Sequence, residues 1–269
     1  MTRPAPALRV LPVLPGSGRA LRIVERNMLV HRRMWVVFAS GFFEPLFYLL
    51  AVGAGIGALV GDVDLGGGLV VPYAEFVAPA LLAASAMNGA VYESTFNIFF
   101  KLHVEKTYDG ILATPMAPGD VALGEIGYSL LRGGIYAVSF LVVMLALGLV
   151  PSPWGILAVP AALLIGLAFA ACGMAATTYM RSWQDFDLIS LVTLPLFLFS
   201  ATFYPVTVYP EWLQAAARLS PLYHGTELIR GLTLGTPGWD MLVHVGVLAA
   251  LGITGALVTS RRIGTLLLK

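Results

Sequence analysis

The chain has 269 residues, 58% of them hydrophobic and 12% charged, and its mean hydropathy is +0.84. Soluble domains carry about 25% charged residues, so this composition excludes an ordinary water-soluble globule and reads as a polytopic membrane protein. A net charge of +1 argues against a nucleic-acid partner, and the only cysteine, Cys172, excludes a disulfide within the chain.

From the N-terminus, RPAPALRVLPVLPG is too rich in proline for a helix, and residues 1–18 are expected as a flexible tail. From Arg19 the pattern changes. Leu21, Val24, Met28 and Trp35 recur at helical spacing while Arg22, Arg26 and Arg33 take other faces. This predicts a basic amphipathic helix over 19–33 lying in the headgroup region. The competing reading is a solvated charged tail that only enforces topology.

Six apolar runs then follow, each near the roughly 20 residues that a helix needs to cross a hydrocarbon core of about 30 Å. They cover 35–60, 71–99, 126–150, 154–180, 188–206 and 239–260, so residues 34–269 are expected as a single transmembrane domain. In the first run Gly53, Gly57 and Gly61 recur every four residues, a spacing that suits close helix packing. Between the second and third runs lies a polar connection, residues 100–125, containing HVEKTYDGILATPMAPGDVALGE. Before the sixth run, residues 207–236 read as two short amphipathic helices broken at Ser220-Pro221. Each is too short to span. The pair is either a re-entrant hairpin, whose backbone must be satisfied by protein or a watery cavity, or an ordinary surface hairpin.

Positive residues near span ends are retained in the cytoplasm. With the N-terminus inside, the inner segments hold Arg3, Arg9, Arg19, Arg22, Arg26, Arg32, Arg33, Lys101, Lys106, Arg181, Arg261, Arg262 and Lys269. The outer segments hold only Arg218 and Arg230, and Arg132 lies within the third run. Both termini and the polar connection are therefore expected in the cytoplasm, and the 207–236 hairpin outside.

FEPLFYLLAVGAGIG, APALLAASAMNGAVYESTF, EKTYDGILATPMAPGDVALGEI, and SATFYPVTVYPEWLQ followed by PLYHGTELIRG occur in an order and spacing that resemble the permease subunits of type-two ABC exporters, in the NodJ-like and daunorubicin-resistance-like branch. The resemblance runs from about residue 19 to residue 262. It implies an all-α fold of six transmembrane helices in a bacterial plasma membrane. It further implies a cytoplasmic coupling helix within LHVEKTYDGILATP that docks on an ATPase, with Lys101, His103, Glu105, Lys106, Tyr108 and Asp109 as the corresponding residues. Charges give such a contact its register and an aromatic residue gives it an anchor; Pro115 stops the helix. Because six helices make a half-transporter in that family, the implied assembly is two permease chains, identical or paralogous, with two ATPase subunits that carry ATP and Mg. This chain has no G-x-x-x-x-G-K-[ST] and is expected to hold no cofactor and to hydrolyse nothing itself. The implied substrate is amphipathic, lipid-linked or drug-like, exported from the cytoplasm.

Residues of chemical interest are few. His31, His103, His224 and His244 are scattered and show no metal-binding spacing, so no metal site and no catalytic constellation is expected. Ionisable groups inside a bilayer are expensive and are functional candidates by default. Glu44, followed by Pro45, lies about 15 Å into the first run and faces either a central path, the dimer seam or a structural partner. Glu93 and Arg132 fall at similar depth on sequential antiparallel helices, which predicts an ion pair that fixes the two helices flanking the polar connection. In the outer hairpin Tyr223, His224, Glu227 and Arg230 form a candidate gate, with Glu227 placed at i+3 from His224 and at i−3 from Arg230. Phe43, Phe47, Phe199 and Phe203 are either pathway aromatics or packing and interfacial belt. The alternative function is a proton-coupled secondary carrier with Glu44, Glu93 and His244 as relay. It predicts inverted repeats, and 35–150 and 154–260 show none.

Overall fold

The computed structural model describes residues 17–31, 43, 46–66 and 68–267. Glu44, Arg33 and Trp35 lie outside them, as does the 1–16 tail. In chain order the helices are α1 (Ser17–His31), α2 (Leu46–Val60), α3 (Tyr73–Val104), α4 (Thr107–Leu112), α5 (Pro118–Ala146), α6 (Ala158–Thr177), α7 (Asp185–Phe199), α8 (Glu211–Leu219), α9 (Pro221–Leu234) and α10 (Asp240–Leu267). Among the described residues four helices are long and apolar enough to cross a membrane: α3, α5, α10, and α6 extended by the turn Pro153–Leu157.

Several expectations change. The fold is mostly helical, with one short hairpin that the apolar runs do not announce: β1 (Asp62–Asp64) and β2 (Val70–Pro72) pair antiparallel with Val63 opposite Val71. The alternation in DVD and VVP buries Val63 and Val71 and leaves their neighbours outside. Gly61 does not pack as Gly53 and Gly57 do. Those two face Ala74 and Tyr73 at the start of α3, whereas Gly61 ends α2 at φ +73° with open space around its Cα. The fifth apolar run is helical only over α7, which holds 15 residues and stops at Ser200. The polar connection is also shorter than 100–125. α3 continues to Val104 and α5 begins at Pro118, because Lys101, Asp120 and Glu125 are polar residues that turn inward and hydropathy reads them as loop.

Local chemistry sets the ends. Pro118 stands in the first turn of α5, where its missing N–H costs nothing, and the Ala117 N–H donates to the Asp120 carboxylate at 2.9 Å. Ser220 caps α9 by accepting from the Tyr223 N–H, and Gly235 closes it at φ +79°. The Asp185 carboxylate accepts the Arg181 and Ser182 N–H groups, and these bonds, Arg181 first, hold it below the usual carboxylate range.

The core is a bundle of α3, α5, α6, α9 and α10. Phe76 and Met87, Phe140 and Met144, Ile165 and Met174, Leu222 and Ile229, and Leu248 are all buried in it. Small residues set the closest approach, as is usual between helices in membranes. A Cβ on Gly255 of α10 would stand 2.8 Å from the Ala171 backbone of α6. α3 departs from α-helical hydrogen bonding at two π turns, Glu93–Asn97 and Phe100–Val104. Such turns free backbone carbonyls. The Thr177 hydroxyl on α6 is shared between the carbonyls of Gly173 and Ser94, at 2.9 and 3.1 Å. Gly173 presses on the same place, since a Cβ there would be 2.2 Å from Ser94 Oγ.

Candidate functional site

At the predicted cytoplasmic end, three elements meet on one buried polar knot. Lys101 near the end of α3 donates to Glu125 of α5 at 2.7 Å and to Asn27 of α1 at 3.3 Å. The Asn27 amide donates to the same Glu125 oxygen at 2.8 Å. All three are buried, so the charges are paired and hydrogen-bonded as burial requires. α1 reaches this knot by lying on Gly124, where a Cβ would stand 2.6 Å from Ile23 Cβ and 2.9 Å from the Ala20 carbonyl oxygen. Arg19 adds a second tie, donating to the Pro115 carbonyl at 2.9 Å. The protein-facing side of α1 is thus Ile23 and Asn27, while Leu21 and Met28 are exposed. Sequence reading picked the exposed side because its residues are apolar. It passed over Asn27, whose only signal is its place four residues beyond Ile23.

α4 sits beside this knot. Its Tyr108 is fully buried, and burial together with the neighbouring Glu125 pushes the phenol well above its ordinary range. Tyr108 and Lys101 therefore face the interior of their own chain. The surface that the segment offers is His103, Glu105, Lys106, Asp109 and Gly110, all exposed. Lys106 enters α4 at φ 49°, a left-handed conformation that is uncommon for such a residue.

Glu93 and Arg132 form an ion pair between α3 and α5, with the Arg132 Nε donating to the Tyr136 hydroxyl at 3.0 Å. Glu44 of the proposed relay lies outside the described residues, Glu93 is held by Arg132, and His244 is held by His224. The structure does not bring Glu93 and His244 together. Phe43 and Phe47 stack on each other at 6.0 Å and are exposed, as is Phe199, while Phe203 packs edge-on against Phe197 at 5.2 Å.

At the opposite end α9 is inserted into the bundle, with Leu222, Thr226, Leu228, Ile229 and Arg230 buried, and α8 stays largely exposed. Arg230 is the anchor. Its guanidinium donates to Glu227, to the Ala201 carbonyl at 2.7 Å and to the Phe76 carbonyl at 3.3 Å, and lies 4.0 Å from the Phe76 ring centroid. Glu227 thus pairs with Arg230 on its own helix, while His224 turns to α10, its Nδ1 2.7 Å from Nδ1 of His244. Tyr223 stands edge-on to both imidazoles. A cavity of about 230 Å³ opens beside them, lined among others by Leu69, Phe76, Glu227, Arg230, Asp240 and Met241. Among the described residues no three His, Cys, Asp or Glu side chains converge as a metal site would need.

The buried knot under a short polar helix and the inserted α9 thus lie at opposite ends of the bundle, with the Glu93–Arg132 pair between the helices that flank the first. The ABC-2 type transporter family matches residues 20–234. The chain is 34% identical over 235 residues to a nodulation protein J of Rhizobium leguminosarum bv. trifolii, covering 87% of this chain and 88% of that one. It is 32% identical to a nodulation protein J of Rhizobium meliloti (strain 1021), covering 87% of each. To the inner membrane transport permease YadH of Escherichia coli (strain K12) it is 24% identical, covering 81% of this chain and 85% of that one. The chain belongs to the ABC-2 type transporter family, as a transport permease with several membrane-crossing helices.

Proposed function

We propose that this chain is the membrane-spanning half of an ATP-driven exporter in a bacterial inner membrane, moving an amphipathic, lipid-linked or drug-like substrate out of the cytoplasm. The observation that carries it is the family match across residues 20–234. Six spans follow from adding the 35–60 and 188–206 runs to the four long helices. Two copies, or one with a paralogue, pair with two ATPase subunits that carry ATP and Mg. The chain's own part is mechanical. α4 and the exposed Glu105, Lys106 and Asp109 meet the ATPase. The Lys101–Glu125–Asn27 knot passes that displacement to α3, α5 and α1 together, because parting Lys101 from Glu125 strands a buried charge and removing Asn27 takes a hydrogen bond from each of them. With both termini cytoplasmic, α8 and α9 form the outer, re-entrant hairpin; the burial of α9 among protein supplies the backbone satisfaction such a segment needs. The apolar Leu21 and Met28 side of α1 faces lipid.

The test is purification of the full chain with a candidate ATPase in proteoliposomes, followed by ATPase assays across lipid, lipo-oligosaccharide and drug panels. The expected result is a stable complex whose hydrolysis rises with at least one substrate class. Absence of any ATPase that binds the chain overturns the proposal.

A further inference from the structure

The contact between His224 and His244 has a property that none of the surrounding contacts shares: only one proton can occupy the line between the two rings. With Nδ1 facing Nδ1 at 2.7 Å, one nitrogen donates and the other accepts. When both imidazoles are charged, two N–H groups point at each other and two positive charges stand with ring centroids 5.0 Å apart. The contact bridges α9 to α10, and their facing sides carry Glu227, Arg230, Asp240 and Met241 in the wall of the outer cavity.

We propose that the His224–His244 pair is a proton-operated latch, which holds α9 against α10 near neutral pH and releases it when the outer side is acidified. The groups around the pair fix the sign. Asp240 stands one turn before His244 on α10, and Glu227 lies one turn beyond His224 on α9, though it is shared with Arg230. On the other side, α8 presents the Arg218 carbonyl to His224, and Tyr223 packs against both rings. Burial and the His244 ring hold His224 below its ordinary value. A first proton leaves the contact intact, because one ring still donates and the other still accepts. The second proton breaks it. Since the latched form binds fewer protons, latching is complete above the ordinary histidine range, about 6.5, and is lost as pH falls below it. Release lets α9 part from α10 beside the cavity, while Arg230 still ties α9 to Phe76 and Ala201. That the latch senses the outside rests on the topology proposed above.

Spin labels on cysteines replacing Leu219 and Trp239, both exposed, in a Cys172→Ala background report the separation of the hairpin from the start of α10. The full-length chain is placed in nanodiscs and diluted with unlabelled chain, and the distance distribution is compared at about pH 7.5 and about pH 5.5. The expected result is a second, longer population that grows at least about threefold on acidification. It is expected to be absent in His224→Asn/His244→Asn, whose amides hydrogen-bond without titrating. An unchanged distribution in the native pair, or the same growth in the Asn pair, overturns the latch; if the double variant does not fold, His244→Gln alone serves as the comparison. Sidedness is read separately, in proteoliposomes, by an impermeant nitroxide reductant. Labels reduced only from the cytoplasmic side would overturn the topology while leaving the distance result to decide the latch.

Discussion

Glu93 and Arg132 join the C-terminal half of α3 to α5 through an ion pair whose members are both largely withdrawn from solvent. Removing one partner strands the other charge, so Glu93→Gln and Arg132→Gln are each expected to cost about 3 kcal/mol. The charge-swapped Glu93→Arg/Arg132→Glu chain should recover part of this, and only part, because the hydrogen bond to Tyr136 is lost. Melting curves of detergent-solubilised chain provide the cycle. Strict additivity of the two single effects would show that the pair carries no coupling.

The polar helix separates interior from surface residues cleanly enough for a two-readout test. Tyr108→Ala opens a cavity and is expected to destabilise the chain by about 3 kcal/mol. Glu105→Ala and Asp109→Ala remove exposed groups and should stay within about 0.5 kcal/mol of native stability, yet weaken capture of the ATPase. Full capture by Glu105→Ala/Asp109→Ala would mean that this surface is not the docking face.

Gly124 is the floor on which α1 rests. Gly124→Ala places a methyl group within van der Waals overlap of Ile23 and the Ala20 carbonyl, so α1 must lift and Asn27 must leave the knot. Tryptic cleavage between Arg19 and Arg26 should accelerate about tenfold as local opening becomes easier. Gly133, around which a Cβ meets open space, serves as the control and should tolerate alanine.

Arg230 serves three acceptors with one planar group, which a lysine cannot do. Arg230→Lys should therefore lower stability by about 2 kcal/mol, in spite of retaining the charge. Glu227→Ala should make transport slower or leaky while leaving ATPase capture intact. Equal stability of native and Arg230→Lys chains would show that the Phe76 and Ala201 carbonyls do not depend on this guanidinium.

Much of this architecture is legible in the sequence because lipid imposes simple rules. Long apolar runs mark α3, α5, α6 and α10, and Ser220-Pro221 marks the break between α8 and α9. Equal depth on antiparallel neighbours was enough to pair Glu93 with Arg132. What stayed hidden were contacts made by polar residues turned inward. Lys101 and Glu125 read as part of a polar connection and Asn27 carries no signal at all, because hydropathy has no term for a satisfied partner 74 or 98 positions away. Tyr108 read as an exposed anchor for the same reason. The β1–β2 hairpin escaped because its two strands hold three residues each, too few for a periodic signal. His224 was assigned to Glu227 by helical spacing, but the spacing along one helix says nothing of what the next helix presents, and His244 is what α10 presents.

The two π turns of α3 make its count of residues adjustable in one place. Each carries one residue more than an α turn, and in a regular helix one residue corresponds to about 100° of rotation. A single deletion between Glu93 and Val104 can be taken up by a π turn closing to an α turn, which keeps Lys101 on the face that meets Glu125. The same deletion in the regular helix before Glu93, between Phe76 and Met87, has no spare residue to draw on and turns everything beyond it away from α5.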